Sequence, residues 1–337
     1  MLLKSKVKLA AAGALSVCFI ATAQAETFKM QTFLGAKAST TKAFEEMAAK
    51  LKADTGGEVD ITVLPGKAVV GAAETLDAVK NGLLDGQYTA STYFAGKDPA
   101  MGVLGDTLAA YPDSATRDRW FTEGGGLELA RGLYAKYGMH FVCPIYWPSE
   151  QIPSTKPINT VADLKGLKMR APGGLASDLL SRAGASLVKM GVGESVTAME
   201  TGVLDATDLA NIGLNVALGM HNKAKYSVLA RHSMATTEMS VSKAKWDKLS
   251  DENKTKFEAA CNAMSQGLQT TLTAEDAAAT KKAESELGVT LIEFGEEDAA
   301  AFRAMLVDVW KDWGAKSADA QAIVDSHKAF MKQLGLL

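Results

Sequence analysis

The spacing of apolar positions changes repeatedly along the chain. Residues 28–33 alternate apolar and polar, the two-residue period of a strand with one buried face. Over 40–55, Phe44, Met47, Ala48 and Leu51 recur at three- and four-residue intervals, which predicts a helix that Gly56-Gly57 ends. Val59–Leu64 alternates again and is closed by Pro65-Gly66. A helix over 72–81 and a strand over 86–91 follow. Strand, helix, strand, helix, strand predicts right-handed crossovers and a largely parallel sheet.

A similar run begins just before the Pro-rich segment 144–157 and continues beyond it. Strands are predicted at 140–142, Lys168–Ala171, 186–188 and 206–208, with helices over 176–183 and 192–201. The last third reads as helices over 243–249, 251–286 and 296–313. Gly124-Gly125-Gly126 lies between helical patterns and reads as a turn. The fold class expected is α/β with two lobes around a cleft. Residues 26–150 form mainly the first lobe and 151–235 mainly the second, while 236–337 is a helical region completing and bridging both. A single doubly wound domain with a helical appendix is the alternative. Two lobes suit a binder, because closure removes a captured ligand from water.

Residues 1–25 stand apart. Lys4, Lys6 and Lys8 precede an uncharged, largely apolar run over 9–22, and Ala23-Gln24-Ala25 offers small residues at −3 and −1 of a cleavage site. That is the pattern of a secretory leader, and the run falls short of the roughly 20 residues that span a bilayer. A periplasmic product is expected. Its net charge moves from −3 to −6 once the three leader lysines are gone, which leaves no basic surplus for nucleic acid. Usage of 47% apolar and 22% charged residues excludes a disordered or fibrous chain. Beyond the leader only Cys143 and Cys261 remain, and their spacing leaves a bond or two buried thiols equally open.

Catalytic signatures are poor. There is no Gly-x-Ser-x-Gly elbow, no His-Glu-x-x-His and no phosphate-binding loop. The four histidines are scattered, with no metal-ligand spacing. Arg170 is more telling, since it ends a strand before Pro172-Gly173-Gly174. Strand ends face the crevice in α/β folds, and a guanidinium there can grip a carboxylate with two parallel hydrogen bonds. On position alone, a structural arginine paired with an acid is an equal reading.

The segment DLKGLKMRAPGG at 163–174, with AMETGVLDA at 198–206, resembles the substrate-binding proteins of tripartite ATP-independent periplasmic (TRAP) transporters, the DctP family. A weaker echo, TLDAVKNGLLDG, occupies 75–86, and KWDKLS at 245–250 is similar to a helical cue of the family. YFAGKDPA at 93–100 looks closest to the branch that binds 2-oxo or 2-hydroxy monocarboxylates. The resemblance covers nearly all of 26–337. It implies a bilobal periplasmic-binding-protein fold, capture of a small organic anion and delivery to membrane permease subunits, without catalysis. An organosulfonate or dicarboxylate is the alternative ligand; a secreted hydrolase using His232 with Asp208 is the competing class. A homodimer through the C-terminal helices is left open, and Trp310 and Trp313 read as packing or subunit contact.

Arg170 falls on the family's carboxylate-binding arginine. Tyr93 and Ser91 are expected to contribute from the first lobe, with Phe94 as a wall. Asp208, Asn211, Asn215 and His232 are expected from the second, and Trp147 and Glu150 from the Pro-rich segment. Asn211 and Asn215 also read as helix-start residues. Some members hold the anion through a metal, using a Gln before the Arg, a Glu-Trp pair and a later Glu. Here Ala206-Thr207-Asp208-Leu209 and Arg231-His232-Ser233 depart from that pattern. Asp208 alone cannot cage a hard cation, so no cofactor is expected, and a ligand-bridging sodium or calcium ion is the one exception left open.

Overall fold

The computed structural model describes residues 25–171, 173–190 and 192–337, so the leader expected over 1–25 lies outside them but for Ala25. β1 (Glu26–Thr32), α1 (Ser39–Asp54), β2 (Val59–Leu64), α2 (Thr75–Lys80) and β3 (Gly86–Ala90) follow the predicted order. Phe44, Met47, Ala48 and Leu51 form the buried face of α1. α3 (Pro99–Gly105), α4 (Ser114–Glu123) and α5 (Gly126–Ala135) lead to β4 (Met139–Ile145), with the turn at 124–126 where the glycines predict it. The N-terminus of α3 is capped by Asp98, which accepts from the Ala100 amide, with Pro99 at the first helical position.

The second lobe holds β5 (Ile152–Ser154), β6 (Lys168–Ala171), α6 (Gly174–Arg182), β7 (Ser186–Lys189), α7 (Val192–Glu200), β8 (Ala206–Thr207), α8 (Ile212–Ala217) and β9 (Tyr226–Leu229). The chain returns through β10 (Thr237–Ser242) and α9 (Lys243–Trp246). It ends in α10 (Asp251–Ser285), β11 (Thr290–Glu293), α11 (Glu296–Gly314) and α12 (Ala318–Gln333). Among the described residues no helix is long and apolar enough to cross a membrane.

Two sheets result, ordered β2-β1-β3-β10-β4 and β11-β9-β5-β8-β6-β7. Both are mixed, which corrects the expectation of largely parallel pairing. β10 runs antiparallel to β3 and β4, and β5 antiparallel to β8 and β9. The cause is topological. The chain crosses between lobes at 146–151 and 230–236, so β5 and β10 each enter a lobe from the cleft, against strands that end there. The region 236–337 therefore opens with a strand that completes the first sheet.

The two lobes repeat one device. Gly82 and Gly202, each with φ +74°, end a helix in a conformation that favours glycine. Three residues on, the Asp85 amide donates to the Lys29 carbonyl at 2.8 Å while its carboxylate accepts from the Lys29 amide at 2.9 Å. Asp205 does the same with Lys168, at 2.7 and 3.1 Å. The sequence echo between 75–86 and 198–206 is thus a structural one, and it aims β3 and β8 at the cleft.

One core packs Phe28, Met30, Tyr88 and Met239 of the first sheet against α1 and α10. There Cys143 of β4 and Cys261 of α10 are joined as a disulfide, which resolves the choice left by their spacing. A second core runs from Leu104 and Trp120 in the first lobe to Met169 and Leu179 in the second, through Phe302 and Trp310 of α11. Trp310 stacks on His327, and Trp313 donates to Asp178 at 2.7 Å, so both serve packing.

Candidate functional site

β6 and β8 pair in parallel with Arg170 opposite Thr207, which puts Asp208 just past the end of β8, its amide donating to the Arg170 carbonyl at 2.8 Å. Arg170 is 7% exposed. Its Nε donates to the Met190 carbonyl at 3.1 Å and one Nη to the Asp208 carbonyl at 2.6 Å. Among the described residues it has no carboxylate ion pair within 4.0 Å. Asp208 accepts through Oδ1 from His232 Nε2 at 2.8 Å, and both side chains are fully buried. Glu150, in the crossing segment, is held by its own amide on the Ser233 carbonyl at 3.1 Å. Ligand atoms of Glu150, Asp208 and His232 all lie within 4.8 Å of one another.

Three non-glycine residues with left-handed backbone border these groups: Leu108, Ala210 and Arg231, at φ +51°, +42° and +54°. Such conformations cost of order 1–3 kcal/mol each and persist where surrounding structure imposes them. Around Ala210 the restraint is visible, because Asn215 Nδ2 donates to the Leu209 carbonyl at 2.6 Å and clamps the turn that carries Asp208.

Asp106 completes an acidic cluster that sequence reasoning missed. It is buried, accepting from Ser233 Oγ and the Leu108 amide at 2.8 Å each, and from the Met234 amide at 3.1 Å. No spacing pattern joins residues 106, 150, 208 and 232; only the two interlobe crossings bring them together. Burial, reinforced by Asp208, pushes the Asp106 carboxyl above its ordinary range. Burial and the neighbouring Asp208 and Asp106 push Glu150 much further up. Burial alone would raise Asp208 too, yet His232, Glu150 and Arg170 hold it below its usual value.

From the first lobe, Tyr93 is 45% exposed, and its hydroxyl lies within electrostatic reach of Glu150 and Arg170 across the cleft. Burial, then Glu150, raises its pKa. Other expected contacts are placed elsewhere. Ser91 is fully buried and donates to Glu238 at 3.1 Å, beside Tyr134, beneath the cleft floor. Phe94 is buried in the second core. Trp147 is 6% exposed and packs edge-on to Phe33 at 5.8 Å, backing the wall instead of lining it. Asn211 does start α8, but its Nδ2 donates to Asp276 of α10, whose carboxylate also caps the Gly213 amide at 2.9 Å. Asn211 and Asn215 thus face structure, not the cleft. Phe33, half-buried after β1 and 6.3 Å from Tyr93, was missed because a lone aromatic at a strand end carries no pattern.

Asp208 does not stand alone, contrary to the sequence expectation. Two carboxylates and an imidazole form a group that could hold a cation, and Asp208 Oδ2 is buried with no hydrogen-bond donor. The oxygens suit sodium or calcium, which need several more such ligands; the imidazole nitrogen already serves Asp208. Among the described residues His232 Nδ1 has no hydrogen-bond partner.

The sequence profile of the bacterial extracellular solute-binding proteins of family 7, DctP, matches residues 30–317. A monocarboxylate 2-oxoacid-binding periplasmic protein of Nostoc sp. is 27% identical over 90% of this chain and 81% of its own. A TRAP periplasmic solute-binding protein of Rhodobacter sphaeroides, solved in an apo open form, superposes with TM-score 0.81 at 33% identity, covering 92% of this chain and 99% of that one. A TRAP transporter solute-binding protein of Bordetella bronchiseptica, a dimer with calcium and picolinate in one active site, gives TM-score 0.80 at 26% identity over 93% of each chain. Two mixed sheets joined by crossings at a polar cleft, and a profile match across nearly the whole described chain, have one meaning: this chain belongs to the DctP family of TRAP solute-binding proteins, which capture small organic anions for a membrane permease.

Proposed function

We propose that this chain captures a small 2-oxo or 2-hydroxy monocarboxylate between its lobes, with Arg170 as the anion grip. One observation carries the reading: a buried guanidinium, fixed by two backbone carbonyls, without a carboxylate ion pair among the described residues. A buried charge needs a partner, and an incoming carboxylate supplies it. The Tyr93 hydroxyl and a protonated Glu150 are the donors for the ligand's oxygen at carbon 2. Bridging Arg170 and Tyr93, the ligand favours the closed arrangement of the lobes over the open one. The 2-oxoacid-binding relative supports the choice of ligand class.

A second reading adds a ligand-bridging cation, favoured by the unpartnered Asp208 Oδ2 and by the calcium beside picolinate in the Bordetella protein. Glu150 and Asp208 are the residues that would hold it, and it would supply positive charge beside the ligand's oxygens.

Calorimetric titration with pyruvate tests both. Arg170→Ala should weaken binding by about 2–5 kcal/mol, to below detection, with the unfolding profile retained. Wild-type affinity in that variant would refute the assignment. EDTA treatment that abolishes binding, reversed by calcium, or loss of binding when potassium replaces sodium, would select the second reading; unchanged affinity in sodium-free buffer with EDTA would select the first.

A further inference from the structure

Opposite the charged end of the cleft lies an aromatic face that the carboxylate grip does not explain. Phe33 follows β1 and Tyr93 follows β3, and since these strands are parallel neighbours, both rings emerge at the same sheet end. They are 6.3 Å apart. Phe33 is braced from behind by Tyr88 at 5.6 Å and Trp147 at 5.8 Å, both edge-on and both buried. The wall is therefore preorganised, and Tyr93 is 45% exposed with its hydroxyl within electrostatic reach of Glu150 and Arg170. Its one polar atom is the Tyr93 hydroxyl.

We propose that Phe33 and Tyr93 are specificity-determining residues that select a monoanionic 2-oxo acid with an apolar or aromatic group beyond carbon 2. This rests on the reading of Arg170 as the anion grip. With the carboxylate on Arg170 and the C2 oxygen beside Glu150 and Tyr93, the rest of the ligand meets the rings. Apolar atoms there exchange water for a ready surface, worth about tenfold or more for a substituent of one or two carbons. A polyhydroxylated sugar acid would set hydroxyls against rings that offer them no partner. A second carboxylate beyond carbon 2, as in 2-oxoglutarate, would likewise be set against rings that offer it no cation.

The test is calorimetric titration of the leaderless protein with pyruvate, 3-methyl-2-oxobutanoate, phenylpyruvate, 2-oxoglutarate and glucuronate. At least one of the two apolar acids should bind tenfold or more tightly than pyruvate, and 2-oxoglutarate and glucuronate more weakly than either. In Phe33→Ala, and in the more exposed Tyr93→Ser, that preference over pyruvate should fall to about onefold. Equal affinity for pyruvate and the apolar acids, or a preference for glucuronate or 2-oxoglutarate, would overturn the wall's role and leave Arg170 in place. Persistence of the preference in both variants would do the same. Folded protein that binds none of the five would overturn the grip and the wall together, and Arg170→Ala separates that case by removing whatever binding exists.

Discussion

Glu238 is a buried carboxyl whose titration lies within the ordinary pH range of a stability measurement. It is fully buried on β10, accepting from Tyr134 at 2.6 Å, Ser91 at 3.1 Å and Gln87 at 3.4 Å. Burial outweighs these bonds and lifts its carboxyl from 4.5 to about 8. Below pH 4.5 the group is protonated in both folded and unfolded chains. Between 4.5 and about 8 only the folded chain keeps the proton, so its contribution to stability is lost progressively as pH rises through that window. Glu238→Gln keeps the shape without the titration. Relative to wild type, the variant's Tm should rise by several degrees from pH 5 to pH 8.5; parallel Tm curves would show that Glu238 does not titrate there. Residues differ in how plainly the sequence announces them. Arg170 is marked by its strand end and its motif. Glu238 and Asp106 are not, because burial and partners 100 residues away make their chemistry.

Elements were most legible where one face is apolar. α1 and β2 follow from periodicity, since each buries one side and wets the other. β10 is absent from the sequence reading although Met239 and Val241 alternate with Glu238 and Ser240 as in a strand; what the alternation does not foretell is that the polar face, Glu238 and Ser240, is buried too. The disulfide between β4 and α10 lies at this scale too, closing a separation of 118 residues. Cross-links over long loops restrict the unfolded chain and contribute about 2–5 kcal/mol. Cys143→Ala with Cys261→Ala should lower the urea midpoint accordingly, and dithiothreitol should produce the same shift in the wild type only. Equal midpoints for oxidised and reduced protein would remove this role.

Closure is a property of the whole molecule. α10 packs on α1 and β4 in one lobe and on α8 in the other, and α11 lies on both α3 and α6. Those helices are continuous supports, while the crossings at 146–151 and 230–236 carry Glu150 and His232 into the site. A ligand held as proposed by Arg170 and Tyr93 would tie the lobes where the chain crosses between them. Saturating ligand should shrink the radius of gyration in X-ray scattering and stabilise the fold by about 2.7 kcal/mol at 100 times Kd. Superimposable scattering curves with and without a tightly bound ligand would rule out lobe closure.

By itself the sequence determined the alternation of strands and helices, the two-lobed α/β plan and the arginine at the cleft. Periodicity and short motifs are local, and each is written within a few dozen residues. Only the tertiary structure decided the mixed sheets, the disulfide, and which polar residues meet. Asp106, Glu150, Asp208 and His232 converge because the chain crosses the cleft more than once. Ser91 and Asn211 turn to Glu238 and Asp276, because carboxylates withdrawn wholly or partly from water find donors among the nearest groups in space.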